Sequence, residues 1–481
     1  MTTNIIEYVH NNKIVEIHNA DPNETLLNYI REKLRKTGTK EGCAEGACGA
    51  CTIVLGNLKN NTITYQSVNA CIAFLPTIHG KQLILVEDLV SKSGKLHPVQ
   101  NSMVNFHGSQ CGFCTPGFIM SLFAMYKNYV SYDENIISDS ISGNLCRCTG
   151  YKPIVNAAKD LNNKNRNDKF TKTKNHTINL LKKIHNKKNS LFLYNNKKKY
   201  FAPKNIKELK NIIKNNPESL ILNGGTDLSL EVTKKRKTIE SIIYTGTINE
   251  LDYIKKENKF IEIGSSTTLI NFENLMKKYY EDFYQILRRF GSTQIRNVAT
   301  IAGNIATASP IGDTLPILLT LDSKIIVGGF KNDRIIPINN FFIDYRKTKL
   351  KKGDFIKSIR IPLPDKSIFK AYKISKRIDD DISSVCASFR IYIENNVIKK
   401  IYIAYGGMAN IPKRALNCEK ILLNKKISEK TIDLGQKNLE KDFNPIDDMR
   451  ASSIYRMVVA KNLLKKCFLE ISTNKKIRIN A

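Results

Sequence analysis

Residues 41–51 read EGCAEGACGAC, placing Cys43, Cys48 and Cys51 close together with little but Gly and Ala between them. So few large apolar side chains give this segment neither a helix face nor a strand face to bury. A fourth cysteine follows at Cys71, in SVNACIAF. The spacing C-x4-C-x2-C with a distant fourth cysteine is the plant-type ferredoxin arrangement, four thiolates around a [2Fe–2S] cluster. The small residues fit that reading. Gly42, Gly46 and Gly49 allow sharp turning at positive φ, and Ala44, Ala47 and Ala50 add almost no bulk near the sulfurs. Backbone N–H groups brought close to the sulfurs would also help set a reduction potential.

Working outward, eight of the eleven cysteines precede residue 150. The second four are Cys111 and Cys114 in CGFCTPG and Cys146 and Cys148 in CRCTGYKP. Each pair stands just before a helical pattern, so two helix N-termini, whose positive ends favour thiolates, would face one site. Pro116 suits a first helical turn. Structural zinc also takes four cysteines from C-x2-C pairs, so for this second set zinc and iron–sulfur both remain open. Cys386, Cys418 and Cys467 stand alone and read as ordinary core or surface residues.

The chain has 481 residues, enough for two to four domains, with the apolar content of a globular protein. No apolar run is long enough to span a membrane, and MTTNIIEYVHNN lacks the regions of a signal peptide. The expectation is therefore a cytoplasmic protein with reduced thiols and no membrane partner. The formal charge of +32 raises the question of nucleic acid. The lysines are scattered among abundant Asn, however, and only 161–200 is dense, with twelve Lys or Arg against the single Asp168. No recognition motif accompanies them, so no nucleic-acid partner is expected. A zinc-stabilised nucleic-acid-binding protein is the rival reading from another class.

Pattern divides the chain. Residues 1–80 read as paired strands around a helix at 26–34, and 81–160 as helices, the one in TPGFIMSLFAMYKNYV apolar nearly all round and so buried. Residues 161–197 read as a Lys/Asn-rich linker without sustained period. Residues 198–368 alternate helix, strand and glycine turn, with SLILNGGTDL as a buried strand breaking into a turn. In 369–481, a hairpin turning at 394–396 precedes a mostly helical end. The overall class is multidomain α+β. A bound dinucleotide needs backbone donors in a concave turn, and ILNGGTDL and TIAGN offer two small-residue loops. No G-x-G-x-x-G with a following helix and acid is present, so a Rossmann fold is not indicated.

Taken together, EGCAEGACGACTIVL, HGSQCGFCTPGFIMS, GNLCRCTGYKPI, NGGTDL, NVATIAGNIATASPIGD, FFIDYRKT and AYGGMAN resemble the xanthine dehydrogenase/aldehyde oxidase family of molybdenum hydroxylases. The resemblance covers most of residues 1–415. It implies a β-grasp [2Fe–2S] ferredoxin domain over 1–80, a helical [2Fe–2S] domain over 81–160, an FAD domain of the vanillyl-alcohol-oxidase (PCMH) type over 198–368, and a small α+β domain over 369–481 like that of the carbon monoxide dehydrogenase flavoprotein. It further implies that Ile221, Leu222, Asn223, Gly224, Gly225, Thr226, Asp227 and Leu228 wrap the FAD pyrophosphate. Thr300, Ile301, Ala302, Gly303 and Asn304 would form a second loop, with Phe290, Asp313, Ile356 and Lys373 as further FAD contacts. Tyr345 and residues 374–381 would lie where NAD+ docks.

The family's molybdopterin domain has no room in this length, so the resemblance implies the small subunit of a two-subunit, α2β2 enzyme. Its large partner would bind molybdopterin and oxidise hypoxanthine and xanthine to urate. Electrons would pass through two [2Fe–2S] clusters to FAD and then to NAD+, with no side chain of this chain acting as catalytic acid or base. Members acting on an aldehyde, a nicotinate-like heterocycle or carbon monoxide are the alternative.

Overall fold

Alternating apolar and polar residues near the N-terminus fold as hairpins in the computed structural model, which describes residues 2–187, 189–330 and 332–477. Ile6–His10 pairs antiparallel with Lys13–Ile17, and Thr52–Lys59 with Thr62–Asn69. The connecting turns are Asn11 with Asn12 and Asn60 with Asn61, all at positive φ. Asn tolerates that region better than other non-Gly residues, and two such residues make the turn whose twist matches a hairpin. Asn395 and Asn396 do the same between Val385–Glu394 and Val397–Gly406. The abundant Asn therefore has a structural use at three hairpins.

The chain forms two compact units, Met1–Asn249 with Gly291–Ala299, and Glu250–Phe290 with Thr300–Ala481. The expected FAD block 198–368 thus contributes residues to both. In the first unit, a five-stranded sheet runs in the order Lys13–Ile17, Ile6–His10, Gln82–Ile84, Thr52–Lys59, Thr62–Asn69. The helical turns Leu26–Asn28 and Tyr29–Lys33 bury Leu26, Leu27, Tyr29 and Ile30. Helices Pro98–Asn105, Thr115–Asn128, Glu134–Ile141 and Lys152–Asp160 follow. Thr115–Asn128 is buried continuously from Gly117 to Tyr126, as its all-round apolar sequence predicts.

Two expectations need correction in this unit. The stretch 161–197 is not an irregular linker: it contains helices Lys169–Lys172 and Lys174–His185 and the strand Ser190–Asn195. Ile178, Leu181 and Ile184 are buried in one apolar core with Val9, Val54 and Phe123. Lysines on the other face masked a helical period carried by only a few apolar residues. The stretch SLILNGGTDL is not a buried strand either. Leu220–Leu222 lies at the edge of a second sheet, ordered Thr2–Thr3, Ser190–Asn195, Lys198–Ala202, Ser241–Tyr244, Leu220–Leu222, and exposes Leu220 and Ile221 while burying Leu222.

The second unit has a five-stranded antiparallel sheet ordered Ile254–Lys256, Phe260–Gly264, Phe355–Pro362, Lys324–Gly328, Arg334–Pro337. A four-stranded sheet follows, ordered Ile368–Ile374, Val385–Glu394, Val397–Gly406, Lys413–Arg414. Its core is shared with helices Leu416–Leu422, Glu429–Asp442 and Ser453–Thr473. Among the described residues, no helix is long and apolar enough to cross a membrane.

Candidate cofactor sites

In the first cysteine loop Gly46 and Gly49 are at positive φ as expected, and Ala44 is there too, which composition did not predict. Gly42 is needed for a different reason from the one expected: a Cβ there would stand 2.7 Å from Cys48 Sγ, so space rather than φ excludes a side chain. The loop aims backbone donors at sulfur. The N–H groups of Glu45, Ala47 and Cys48 point to Cys43 Sγ at 3.5, 3.3 and 3.4 Å. Asn69 Nδ2 donates to Gly46 O at 2.8 Å and ties the loop to the strand that leads to Cys71. Cys43 meets the thiols of both Cys48 and Cys71, and Cys71 also meets Cys51. Hydrogen bonds from the Cys48 and Cys71 thiols and from these backbone amides hold Cys43 far below the ordinary thiol range, against the opposing effect of burial.

The second set sits at helix starts, as expected. Cys114 is the N-cap of Thr115–Asn128, with Pro116 in its first turn. Cys146 and Cys148 precede Lys152–Asp160, whose N-cap Tyr151 is held at φ +69°. Tyr151 Oη accepts from the Cys146 N–H at 2.9 Å. Thr149 N–H donates to Cys146 Sγ at 3.4 Å, and the Thr149 hydroxyl is hydrogen-bonded to the same sulfur at 3.2 Å. Here the thiols associate in twos, Cys114 with Cys146 and Cys111 with Cys148. Burial, and then the hydrogen bond with Cys146, push the Cys114 thiol up to about 12. Cys111 and Cys148 are exposed, whereas Cys51 and Cys71 of the first set are buried.

Among the described residues, no three His, Cys, Asp or Glu side chains gather as around a single metal ion. Two sets of four cysteines whose thiols meet one another, with amide donors directed at sulfur, fit diiron centres in which each iron takes two cysteines. The remaining cysteines are core residues: Cys386, Cys418 and Cys467 are all buried, and burial raises each thiol.

The residues expected around FAD fall in both units. In the first unit, Ile221 and Leu222 end the edge strand, and Asn223 Nδ2 donates to Thr245 Oγ1 at 3.0 Å. A Cβ on Gly224 would lie 2.1 Å from Val298 O, and Gly225 has φ +74°. The turn continues through Thr226, Asp227 and Leu228 into helix Ser229–Thr233. In the second unit, Thr300, Ile301, Ala302, Gly303 and Asn304 are not a loop. Thr300 is the N-cap of helix Ile301–Thr307, its hydroxyl accepting from Gly303 N–H at 3.0 Å.

Asp313 and Lys373 are not solvated charges. Both are buried and paired at 2.5 Å, and Ser383 Oγ donates to the other Asp313 oxygen at 2.5 Å. Ile356 is buried and Phe290 half-buried. Tyr345 is exposed. The segment 374–381 follows strand Ile368–Ile374 and is fastened by Arg289, whose Nε donates to Ile378 O at 2.7 Å and Nη1 to Lys373 O at 3.1 Å. Sequence reasoning missed Arg289, as it also missed Asn69, Asn144 and Gln294. Polar residues read as surface until the fold buries them.

Four family models match the chain in succession. They are a 2Fe-2S iron-sulfur cluster binding domain over 9–75, a [2Fe-2S] binding domain over 85–159, the FAD binding domain in molybdopterin dehydrogenase over 195–364, and the CO dehydrogenase flavoprotein C-terminal domain over 370–471. The chain belongs to the molybdenum hydroxylase family, of which it carries the [2Fe–2S] and FAD-binding part.

Its curated relatives include xanthine dehydrogenases. That of Emericella nidulans is 32% identical over 91% of this chain and 36% of its own length. The xanthine dehydrogenase/oxidase of Rattus norvegicus is 31% identical over 89% and 36%. The chain thus spans somewhat over a third of these relatives. Among solved structures, carbon monoxide dehydrogenase from Hydrogenophaga pseudoflava matches 55% of this chain and 94% of its own with a TM-score of 0.53 at 21% identity. Quinoline 2-oxidoreductase from Pseudomonas putida 86 matches 58% and 98% with a TM-score of 0.53 at 19% identity. At such identities these two likenesses speak to the fold alone.

Proposed function

We propose that this chain is the electron-transfer part of a xanthine dehydrogenase, working with a molybdopterin-binding large subunit that oxidises hypoxanthine and xanthine to urate, and delivering electrons to NAD+. Identity of 31–32% to xanthine dehydrogenases across about nine-tenths of the chain is the observation that carries this reading over an aldehyde, heterocycle or carbon monoxide substrate. When bound, the two [2Fe–2S] clusters supply one-electron exchange and FAD links it to a two-electron acceptor.

The chain's own residues hold and tune. Cys43, Cys48, Cys51 and Cys71 would ligate one cluster, and the amides of Glu45, Ala47 and Cys48 stabilise thiolate at Cys43. Cys111, Cys114, Cys146 and Cys148 would ligate the other, with Thr149 directing its hydrogen bonds at Cys146. Gly224 lets the 221–228 turn, which would wrap the pyrophosphate, pack against the backbone at Val298, Gly225 supplies its positive φ, and Asp313 with Lys373 forms a buried ion pair among the second group of expected FAD contacts.

The experiment is expression of this chain with and without the molybdopterin-binding chain. Alone, it should contain iron and FAD and reduce a dye with NADH, without oxidising purines. With its partner it should oxidise xanthine with NAD+. Turnover of an aldehyde or quinoline in place of xanthine would move the assignment to another branch of the family.

A further inference from the structure

Residues 291–299 lie in sequence between two expected FAD contacts, Phe290 and Thr300, yet they belong to the compact unit that contains the cysteines. Ser292, Gln294 and Arg296 are completely buried there. Gln294 Nε2 donates to Ser121 Oγ and to Asn144 Oδ1, at 3.0 Å each. Ser121 is on the helix that Cys114 caps, and Asn144 stands two residues before Cys146. Asn144 Nδ2 donates in turn to Gly49 O at 3.0 Å, inside the first cysteine loop. Arg296 Nη2 pairs with Asp139 at 2.5 Å, and Asn297 Nδ2 donates at 2.9 Å to Ser67 O, on the strand leading to Cys71. One short segment thus fastens every piece of chain on which the eight cysteines lie.

The two cysteine sets meet directly beside this network. Leu145 N–H donates to Cys48 O at 3.0 Å, joining a cysteine of the first set to the neighbour of Cys146 through one backbone hydrogen bond. The approach is as close as backbone permits: a Cβ on Gly49 would lie 2.1 Å from Gly143 O. Gly143 is itself backed by the Gln294 carboxamide, since a Cβ there would lie 2.3 Å from Gln294 Oε1. Ser121 Oγ also donates to Asn144 Oδ1 at 2.6 Å, so an apolar residue at 294 could fill the volume but would remove the one donor that Ser121 Oγ and Asn144 Oδ1 share.

We infer that Gln294 is a positioning residue for one-electron transfer between the two cysteine sets, fixing through Asn144 the separation of the sets and the Leu145–Cys48 hydrogen bond. The inference rests on the two-cluster reading above. In each transfer one centre loses the electron that the other gains, and no atom moves, so separation and the intervening bonds are what the protein controls.

The test uses the full chain, chemically reduced and examined by electron paramagnetic resonance. The unaltered chain should load iron at both sets and show spin–spin splitting between the reduced centres. Gln294→Met should keep the iron and both individual signals but narrow or lose the splitting, because dipolar coupling falls with the cube of the separation. If Gln294→Met does not fold, Gln294→Glu keeps the shape, removes the donating amide and should show the same narrowing. An iron-loaded variant with unchanged splitting would mean that Gln294 serves folding alone and would overturn the inference, as would an iron-loaded parent without splitting. A parent chain that takes up no iron would instead remove the two-cluster reading, and the inference with it.

Discussion

Asp313 and Lys373 show how burial changes what a charged residue means. Each is nearly without solvent contact, and neither could be held there singly, because an isolated buried charge is far more costly than a paired one. Replacing Lys373 with Met leaves Asp313 with Ser383 as its remaining side-chain partner and should destabilise the second unit by roughly 3–5 kcal/mol. Denaturant unfolding checks this, and Asp313→Asn together with Lys373→Met should recover part of the loss. At the first cysteine loop, Cys43→Ser removes the sulfur at which three backbone amides converge. Iron analysis should find half the metal gone, with the signals of the second set intact.

Among the elements, the segment 161–197 is the most instructive. Its single acid is not a stray counter-charge. Asp168 caps helix Lys169–Lys172, pairs with Lys127 Nζ at 2.9 and 3.0 Å, and receives His97 Nε2 at 3.0 Å. Burial would raise its pKa, but the His97 and Lys127 partners outweigh burial and hold the carboxyl well below the usual range. Asp168→Asn should therefore cost the first unit roughly 3–5 kcal/mol in chemical denaturation at neutral pH.

The far end of the same segment is joined to the sheet domain through His185, whose Nε2–H donates to Gly80 O at 2.8 Å. Beside that joint, His79 Nδ1 accepts from Glu7 N–H at 3.0 Å. Burial, with smaller contributions from nearby lysines, lowers the His79 pKa to about 4. A histidine kept neutral in the fold stabilises it fully above its unfolded pKa of about 6.5, and that contribution fades as pH falls towards the folded value. Lowering the pH from 7 to 5 should cost the first unit up to roughly 2 kcal/mol, and His79→Gln should flatten that slope in pH-dependent urea titrations.

For the whole molecule, two compact units predict two calorimetric transitions rather than one. A ligand that binds only the folded form raises the stability of the unit that holds it. Iron removal should therefore lower the midpoint of the transition belonging to the cysteine-bearing unit and leave that of Glu250–Phe290 with Thr300–Ala481 in place. A single transition, or an equal shift of both, would show that the units unfold as one. The charge of +32 has less structural meaning than its size suggests. Much of it is on helix faces and loops, and in 161–197 it clothes a helix whose other face is core.

The amino-acid order alone determined whatever local chemistry can specify. Cysteine spacing in the two sets, the glycines that let a loop close on sulfur, the apolar helix after Cys114 and the hairpin at 394–396 all follow from a few neighbouring residues, and all are present in the folded chain. Tertiary structure decided what depends on distant chain coming together. It turned a lysine-rich stretch into a packed helix, placed Leu220–Leu222 at a sheet edge, made Thr300 a helix cap, and brought 291–299 into the unit of the cysteines. It also buried Asp168, Gln294, Asp313 and Lys373. For the buried polar residues the physical reason is the same. A polar residue gains nothing from burial by itself, so its place is set by partners far away in sequence, and no spacing rule records them.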